Sequence, residues 1–254
     1  RSYNRKMPEE INRIVCDHLS TLLFSPTSTG YNNLIKEGFN KESIEPFTPN
    51  NPGIFHCGDI MYDNSLHFAE IAMKNSKILE NHSLDSNDFV LATIHRDHNT
   101  DYEDSLTSIF KALIKISKQK KVVLPLHPRT KNKLQNIINS DLYDEILNQE
   151  NLILLPPVSF LDMIQLEKNA KIVITDSGGV QKEAYFFNKP CVILRPETEW
   201  VEILETGMAK LVSSDFDNIL EAYNSFEKVN EVTFPMIFGN GRASEFICKK
   251  FFSN

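Results

Sequence analysis

Apolar residues recur along this chain at helical spacing and then in short continuous runs, and the two patterns alternate from the start. Pro8, the acidic Glu9 and Glu10, and apolar Ile11, Ile14, Val15 and Leu19 predict an amphipathic helix over about 8–19. Proline suits a first helical turn, and carboxylates complement the positive helix end. Leu22-Leu23-Phe24 reads as a short strand. Thr27 caps a second helix ending near Gly38, the run from Gly53 to Gly58 is another strand, and a long helix follows over roughly 62–80.

A second alternation opens with a strand at about 89–94. It continues with helix 102–118, strand 121–126, helix 130–139, strand 151–155, helix 159–169, strand 171–175, helix 178–187, strand 190–194 and helix 199–206, all read from the pattern. Strands separated by helices of that length imply parallel crossovers, so the fold class is α/β with a doubly wound parallel sheet. Residues 59–234 are expected to form one Rossmann-like domain. Residues 1–58 supply about two strands, too few for a covered sheet, and are expected to be the C-terminal remnant of an earlier Rossmann-like domain. Residues 235–254 carry a terminal helix, about 241–252, expected to cross back to that first domain.

Composition narrows the function classes. The 254 residues are 41% hydrophobic and 24% charged, which is ordinary for a globular protein. A net charge of −7 argues against nucleic acid as a partner, because a polyanion needs a cationic stripe and Lys118 to Lys121 is one short cluster. Cys16, Cys57, Cys191 and Cys248 show no C-x-x-C spacing and sit in apolar contexts, so they read as core residues of a reducing, cytoplasmic compartment. No apolar run is long enough to span a membrane, and the first ten residues do not resemble a signal peptide. The missing initiator Met suggests a fragment.

The stretch from Ile172 to Ala184, IVITDSGGVQKEA, carries the clearest chemistry. An apolar strand runs into Asp-Ser-Gly-Gly and then into a helix. First-turn amides and the macrodipole attract anions, and two glycines let a ligand approach the backbone. Glu183, further along the helix, is placed to accept hydrogen bonds from a ribose diol. The plainer alternative is that Asp176 or Ser177 only caps the helix. Ligands in doubly wound sheets sit beyond the carboxyl ends of the strands. There the sequence sets His95-Arg96-Asp97-His98-Asn99, His127-Pro128-Arg129 and Arg195-Pro196-Glu197-Thr198-Glu199, a cationic set suited to a diphosphate. Arg195 and Glu199 could equally form a simple ion pair. His95-x-x-His98 lacks further ligands at metal spacing, so no metal is expected.

Together these pieces resemble the non-hydrolysing UDP-N-acetylglucosamine 2-epimerase family. The matching segments are MPEEINR at 7–13, DHLS at 17–20, FSPT at 24–27, GD-x-x-x-D at 58–63, HR at 95–96, P-x-H-P at 125–128, TDSGG-x-Q-x-EA at 175–184, KP-x-x-x-LR at 189–195 and G-x-G-x-AS at 239–244. The resemblance implies a glycosyltransferase-B-like pair of domains with the first incomplete, a UDP-sugar substrate and no cofactor. It also implies a homodimer at full length and a role in surface polysaccharide precursor synthesis. It assigns Ser177, Gly178, Gly179 and Glu183 to the diphosphate and ribose, His95 to the departing UDP, and Glu9 to proton transfer. Arg13, Arg96, His127 and Arg195 are expected to bind substrate or line the cleft.

The sequence departs from the family in places. His98 and Lys182 stand where Glu is common, and QKEAYFF at 181–187 with RPETEW at 195–200 looks like the branch acting on diacetamido-uronic acid nucleotides. A glycosyltransferase with the same nucleotide domain, or a UDP-sugar-binding remnant without turnover, are the competing readings.

Overall fold

The computed structural model describes residue 3, residues 5–228 and residues 233–252. The chain separates into two compact units, Arg1–Leu66 with Pro235–Asn254, and His67–Phe234.

In the first unit, α1 (Pro8–Leu19) starts at its proline with Glu9 and Glu10 in the first turn. Strand β1 (Leu22–Ser25) follows, then α2 (Ser28–Lys36), whose N-terminus Thr27 caps by accepting from the Gly30 amide. Strand β2 (Gly53–His56) pairs in parallel with β1, Leu22 opposite Gly53 and Ser25 opposite His56. Their core is Leu23, Leu34, Phe39 and Ile54.

Helix α3 (Ile60–Asn75) contains the division between the units. The helix expected over 62–80 is therefore shorter. It breaks at Ser76, whose hydroxyl donates to Asp162 Oδ1 at 2.5 Å and accepts from the Ile78 amide, and resumes as α4 (Ile78–Asn81). A serine that bonds locally competes with the helix ladder.

The second unit runs β3 (Phe89–Thr93), α5 (Asp97–Thr100), α6 (Glu103–Ser117), β4 (Lys121–Pro125), α7 (Pro128–Ile137), α8 (Ser140–Leu147), β5 (Leu152–Leu155), α9 (Phe160–Asn169), β6 (Ile172–Thr175), α10 (Gly178–Phe186), β7 (Cys191–Ile193), α11 (Val201–Glu205), β8 (Ala209–Leu211) and α12 (Phe216–Glu227). Its strands form one parallel six-stranded sheet in the order β5-β4-β3-β6-β7-β8. Alternate residues of β3, Val90 and Ala92, join Leu106, Phe110 and Leu113 of α6 and Ile219 and Tyr223 of α12 in one continuous core. The intervening Phe89 and Leu91 are equally buried, as the two-residue period of a strand covered on both faces requires.

Four elements lie beyond the sequence expectation. Helix α5 is a single turn, and α8 restarts the chain where Asn139 accepts from the Leu142 amide. Strand β8 is a three-residue edge, and α12 buries Ile219, Ala222, Tyr223 and Phe226. Cys191 is buried as expected, whereas Cys16 and Cys248 are exposed.

The final helix, α13 (Ala243–Phe252), belongs to the first unit. Asp63 caps it, accepting from the Ala243 and Ser244 amides at 3.1 and 2.7 Å and from the Ser244 hydroxyl. Beside this cap the backbones of Gly58 (φ +84°) and Gly239 (φ +85°) cross so closely that a Cβ on Gly239 would lie 2.9 Å from Gly58 Cα. Two sequence segments behind the family resemblance, 58–63 and 239–244, thus meet in a structural joint. Among the described residues no helix is long and apolar enough to cross a membrane.

Candidate functional site

The sheet order makes β3 and β6 neighbours, although β3 connects onward to β4 on its other side and β6 to β7. This reversal is a topological switch point, where loops leave in opposite directions and a crevice opens at the carboxyl ends of the strands. Thr93 and Thr175, the last residues of the two strands, bond hydroxyl to hydroxyl at 2.5 Å. Ser177 N donates to that Thr175 oxygen at 2.9 Å, which fixes the start of the Asp-Ser-Gly-Gly turn.

Asp176 is fully buried just after the carboxyl end of β6. Its carboxylate accepts from the His95 and Arg96 amides, each at 3.0 Å at closest, and from Asn99 Nδ2 at 3.0 Å. His95 Nδ1 lies 3.3 Å from Asp176 Oδ1. Asn99 also donates to the Leu194 carbonyl at 2.9 Å, and His98 Nε2 meets the same carbonyl at 3.2 Å. One carboxylate from β6 therefore shapes the loop after β3, and that loop is tied to the tip of β7.

Ser177 is the N-cap of α10, its hydroxyl accepting from Val180 N at 3.4 Å, and its carbonyl takes Gln181 N. The capping reading of this serine holds. It leaves the amides of Gly178 and Gly179 at the helix mouth with no partner among the described residues. Neither glycine has a positive φ, and an added Cβ would meet nothing nearer than 3.7 Å at Gly178 or 3.8 Å at Gly179. The backbone conformation does not require glycine at either place.

Around this mouth the expected residues converge. His95 and Arg96 follow β3, and His127 follows β4 with its ring centroid 5.8 Å from that of His95. Burial lowers the His95 pKa, the Asp176 carboxylate raises it, and Arg96 and His127 lower it again, for a net fall. His127 caps α7, its Nδ1 accepting from Arg129 N at 3.2 Å. Arg129 itself turns to Asp101 and Thr100. Arg195 lies against Gly178 and is held by Glu199, so the ion-pair reading of that residue is also correct.

Glu183 is half-buried on the second turn of α10, with Oε2 3.8 Å from where a Gly179 Cβ would stand. Burial raises its pKa, partly offset by the Lys182 ammonium. Lys182 is itself buried, with Nζ 4.2 Å from the Trp200 ring centroid, and Trp200 Nε1 donates to the Gly178 carbonyl at 3.1 Å. Behind Glu183, the buried Glu167 of α9 has one oxygen without a hydrogen bond, and burial together with the Glu183 charge pushes its pKa far up.

Glu9 and Arg13 lie on α1 of the first unit. Glu9 is exposed, while its neighbour Glu10 is buried and paired with Arg13 at 3.1 Å. Sequence reasoning missed Asn99, Glu167, Lys182 and Trp200 as parts of the site's frame. A charged residue among apolar positions of α9 and α10 was the available signal for Glu167 and Lys182. Asn99 stands in the polar run at 95–99, but nothing local gives it Asp176 as a partner.

A six-stranded parallel sheet with amides and cations gathered at its switch point defines a Rossmann-like α/β domain. The chain belongs to the UDP-N-acetylglucosamine 2-epimerase family, which matches residues 1–251. It is 45% identical over 245 residues to a UDP-N-acetylglucosamine 2-epimerase homolog of Methanococcus maripaludis, covering 96% of this chain and 64% of that protein. It is 41% identical over 251 residues to the UDP-2,3-diacetamido-2,3-dideoxy-D-glucuronate 2-epimerase of Pseudomonas aeruginosa, covering 98% and 64%. The Methanocaldococcus jannaschii UDP-GlcNAc 2-epimerase in complex with UDP-GlcNAc and UDP superimposes with a TM-score of 0.81 at 34% identity, over 100% of this chain and 67% of that one. The chain thus spans just under two thirds of the length of these two sequence relatives.

Proposed function

We propose that this chain provides the UDP-gripping part of a 2-epimerase that inverts C2 of UDP-N-acetylglucosamine. The reaction breaks the C2–H bond and the C1–O bond to UDP, forming a 2-acetamidoglucal. UDP then adds back to C1 and a proton to the other face of C2. Electrons balance without a redox partner, so the chemistry calls for no redox cofactor. Carboxylates are needed to move the proton, and cationic donors are needed to hold the UDP as it leaves.

In this reading Ser177, Gly178 and Gly179 receive the diphosphate, Glu183 accepts from the ribose diol, and His95 faces the diphosphate as the C1–O bond breaks. Arg96, His127 and Arg195 complete the cationic surround. Glu9 supplies a carboxylate for proton transfer, and Arg13 lines the cleft. The carrying observation is the pair of amides at Gly178 and Gly179 that have no partner among the described residues, in a chain of this family. The 41% identity to the Pseudomonas enzyme favours a second reading, a UDP-2,3-diacetamido-uronate as substrate.

Calorimetry with UDP is the first test, with Glu183→Ala expected to weaken binding by about 1–3 kcal/mol. Turnover of each sugar nucleotide in heavy water is the second, with deuterium entering C2 of the true substrate. A wild-type chain with no measurable affinity for UDP overturns the proposal.

A further inference from the structure

We infer that Asp176 is a positioning residue for His95: its buried carboxylate holds a proton on Nδ1, so that Nε2 is the nitrogen that takes up a further proton and, as Nε2–H, donates to the UDP diphosphate. The inference deepens the function proposed above and rests on it for the identity of the ligand.

The geometry supports it in three ways. Asp176 cannot turn away, because the His95 and Arg96 amides and Asn99 Nδ2 all donate to it inside the protein. Those bonds bring the backbone of His95 to the carboxylate, and the ring follows with Nδ1 at 3.3 Å. The nitrogen across the ring, Nε2, is then the one left to a ligand, on a side chain that remains 37% exposed. In an imidazole, the partner of one nitrogen sets the state of the other. A carboxylate accepts only, so at this ion-pair distance it favours a proton over a lone pair on Nδ1. The remaining charged or titratable neighbours of His95 are Arg96 on its own loop and His127 from the β4–α7 junction. Neither offers a competing acceptor of comparable strength.

The sequence gives Asp176 the appearance of a capping residue, yet Ser177 performs the capping. The carboxylate is thus available to act on the loop across the switch point.

The test is imidazole ¹⁵N NMR on the 254-residue chain, with the His95 resonances assigned by comparison with His95→Gln. Neutral His95 is expected as the Nδ1–H tautomer. In Asp176→Asn, the amide can present N–H groups to Nδ1, and the tautomer is expected to invert to Nε2–H. UDP binding should take up a proton on Nε2 in the wild type and not in Asp176→Asn, read calorimetrically from the dependence of the binding enthalpy on buffer ionisation. Equal uptake in both overturns the inference. A wild-type Nε2–H tautomer overturns the inference, and that spectrum decides even if Asp176→Asn does not fold. An unchanged tautomer in folded Asp176→Asn overturns it as well. Titration of the wild type with UDP separates the two claims: absent binding removes the UDP reading, while the tautomer answers for Asp176.

Discussion

Arg195 and Glu199 meet fork to fork, one guanidinium nitrogen 3.0 Å from Oε2 and the other 3.1 Å from Oε1, at the edge of the glycine-lined helix mouth. Burial alone would raise the Glu199 pKa, but the Arg195 hydrogen bonds and the charges of Arg195 and Arg96 outweigh it and hold it low. A depressed carboxylate contributes stability that is present above its unfolded pKa and lost as pH falls through its folded one. Glu199→Gln should therefore be less stable than wild type at pH 7, and the gap should close on acidification. Denaturant melts between pH 7 and pH 3 check this, and parallel curves for the two proteins would contradict it.

Gly179→Ala should separate stability from binding. An added methyl fits the helix without a close contact, so the fold should gain roughly 0.5–1 kcal/mol. The same methyl would occupy the space between Ser177 Oγ and Glu183 Oε2, and UDP should bind about tenfold more weakly. Thermal melts and calorimetry on one preparation read both effects, and unchanged affinity would count against the glycine argument.

Glu167 should be a liability at neutral pH. Its folded pKa is raised, so its contribution is greatest below the unfolded pKa and declines as pH rises toward the folded value. Glu167→Gln is expected to be more stable than wild type by about 1–3 kcal/mol at pH 8, the scale of a buried unsatisfied polar group. The difference should vanish near pH 4. Melting temperatures across that range provide the measurement.

Asp63→Ala should weaken the first unit by roughly 0.5–2 kcal/mol, because it removes the cap of α13. Hydrogen exchange is expected to accelerate at the amides of Ala243 and Ser244 while β3 to β8 keep their protection. Uniform loss of protection across both units would show a role wider than capping.

The alternation of helix and strand from residue 89 to residue 206 was legible because a strand buried on both faces must be largely apolar, and Phe89 to Ala92 is. The glycine-rich helix mouth was legible for a related reason: Ser177, Gly178 and Gly179 are adjacent in the chain, so local spacing carries the chemistry. Strand β8 escaped notice because three residues at a sheet edge have too little burial to impose a period. Which of Glu9 and Glu10 is buried could not be read from two equal carboxylates in one helical turn.

By itself, then, the sequence determined the doubly wound class, the glycine-lined helix start and the family likeness, all of which depend on residues close together along the chain. Only tertiary structure decided that β3 lies beside β6, and with it that Asp176 reaches across 81 positions to the backbone of His95. Strand order comes from how whole helices cover two sheet faces, and no local window of residues contains that competition.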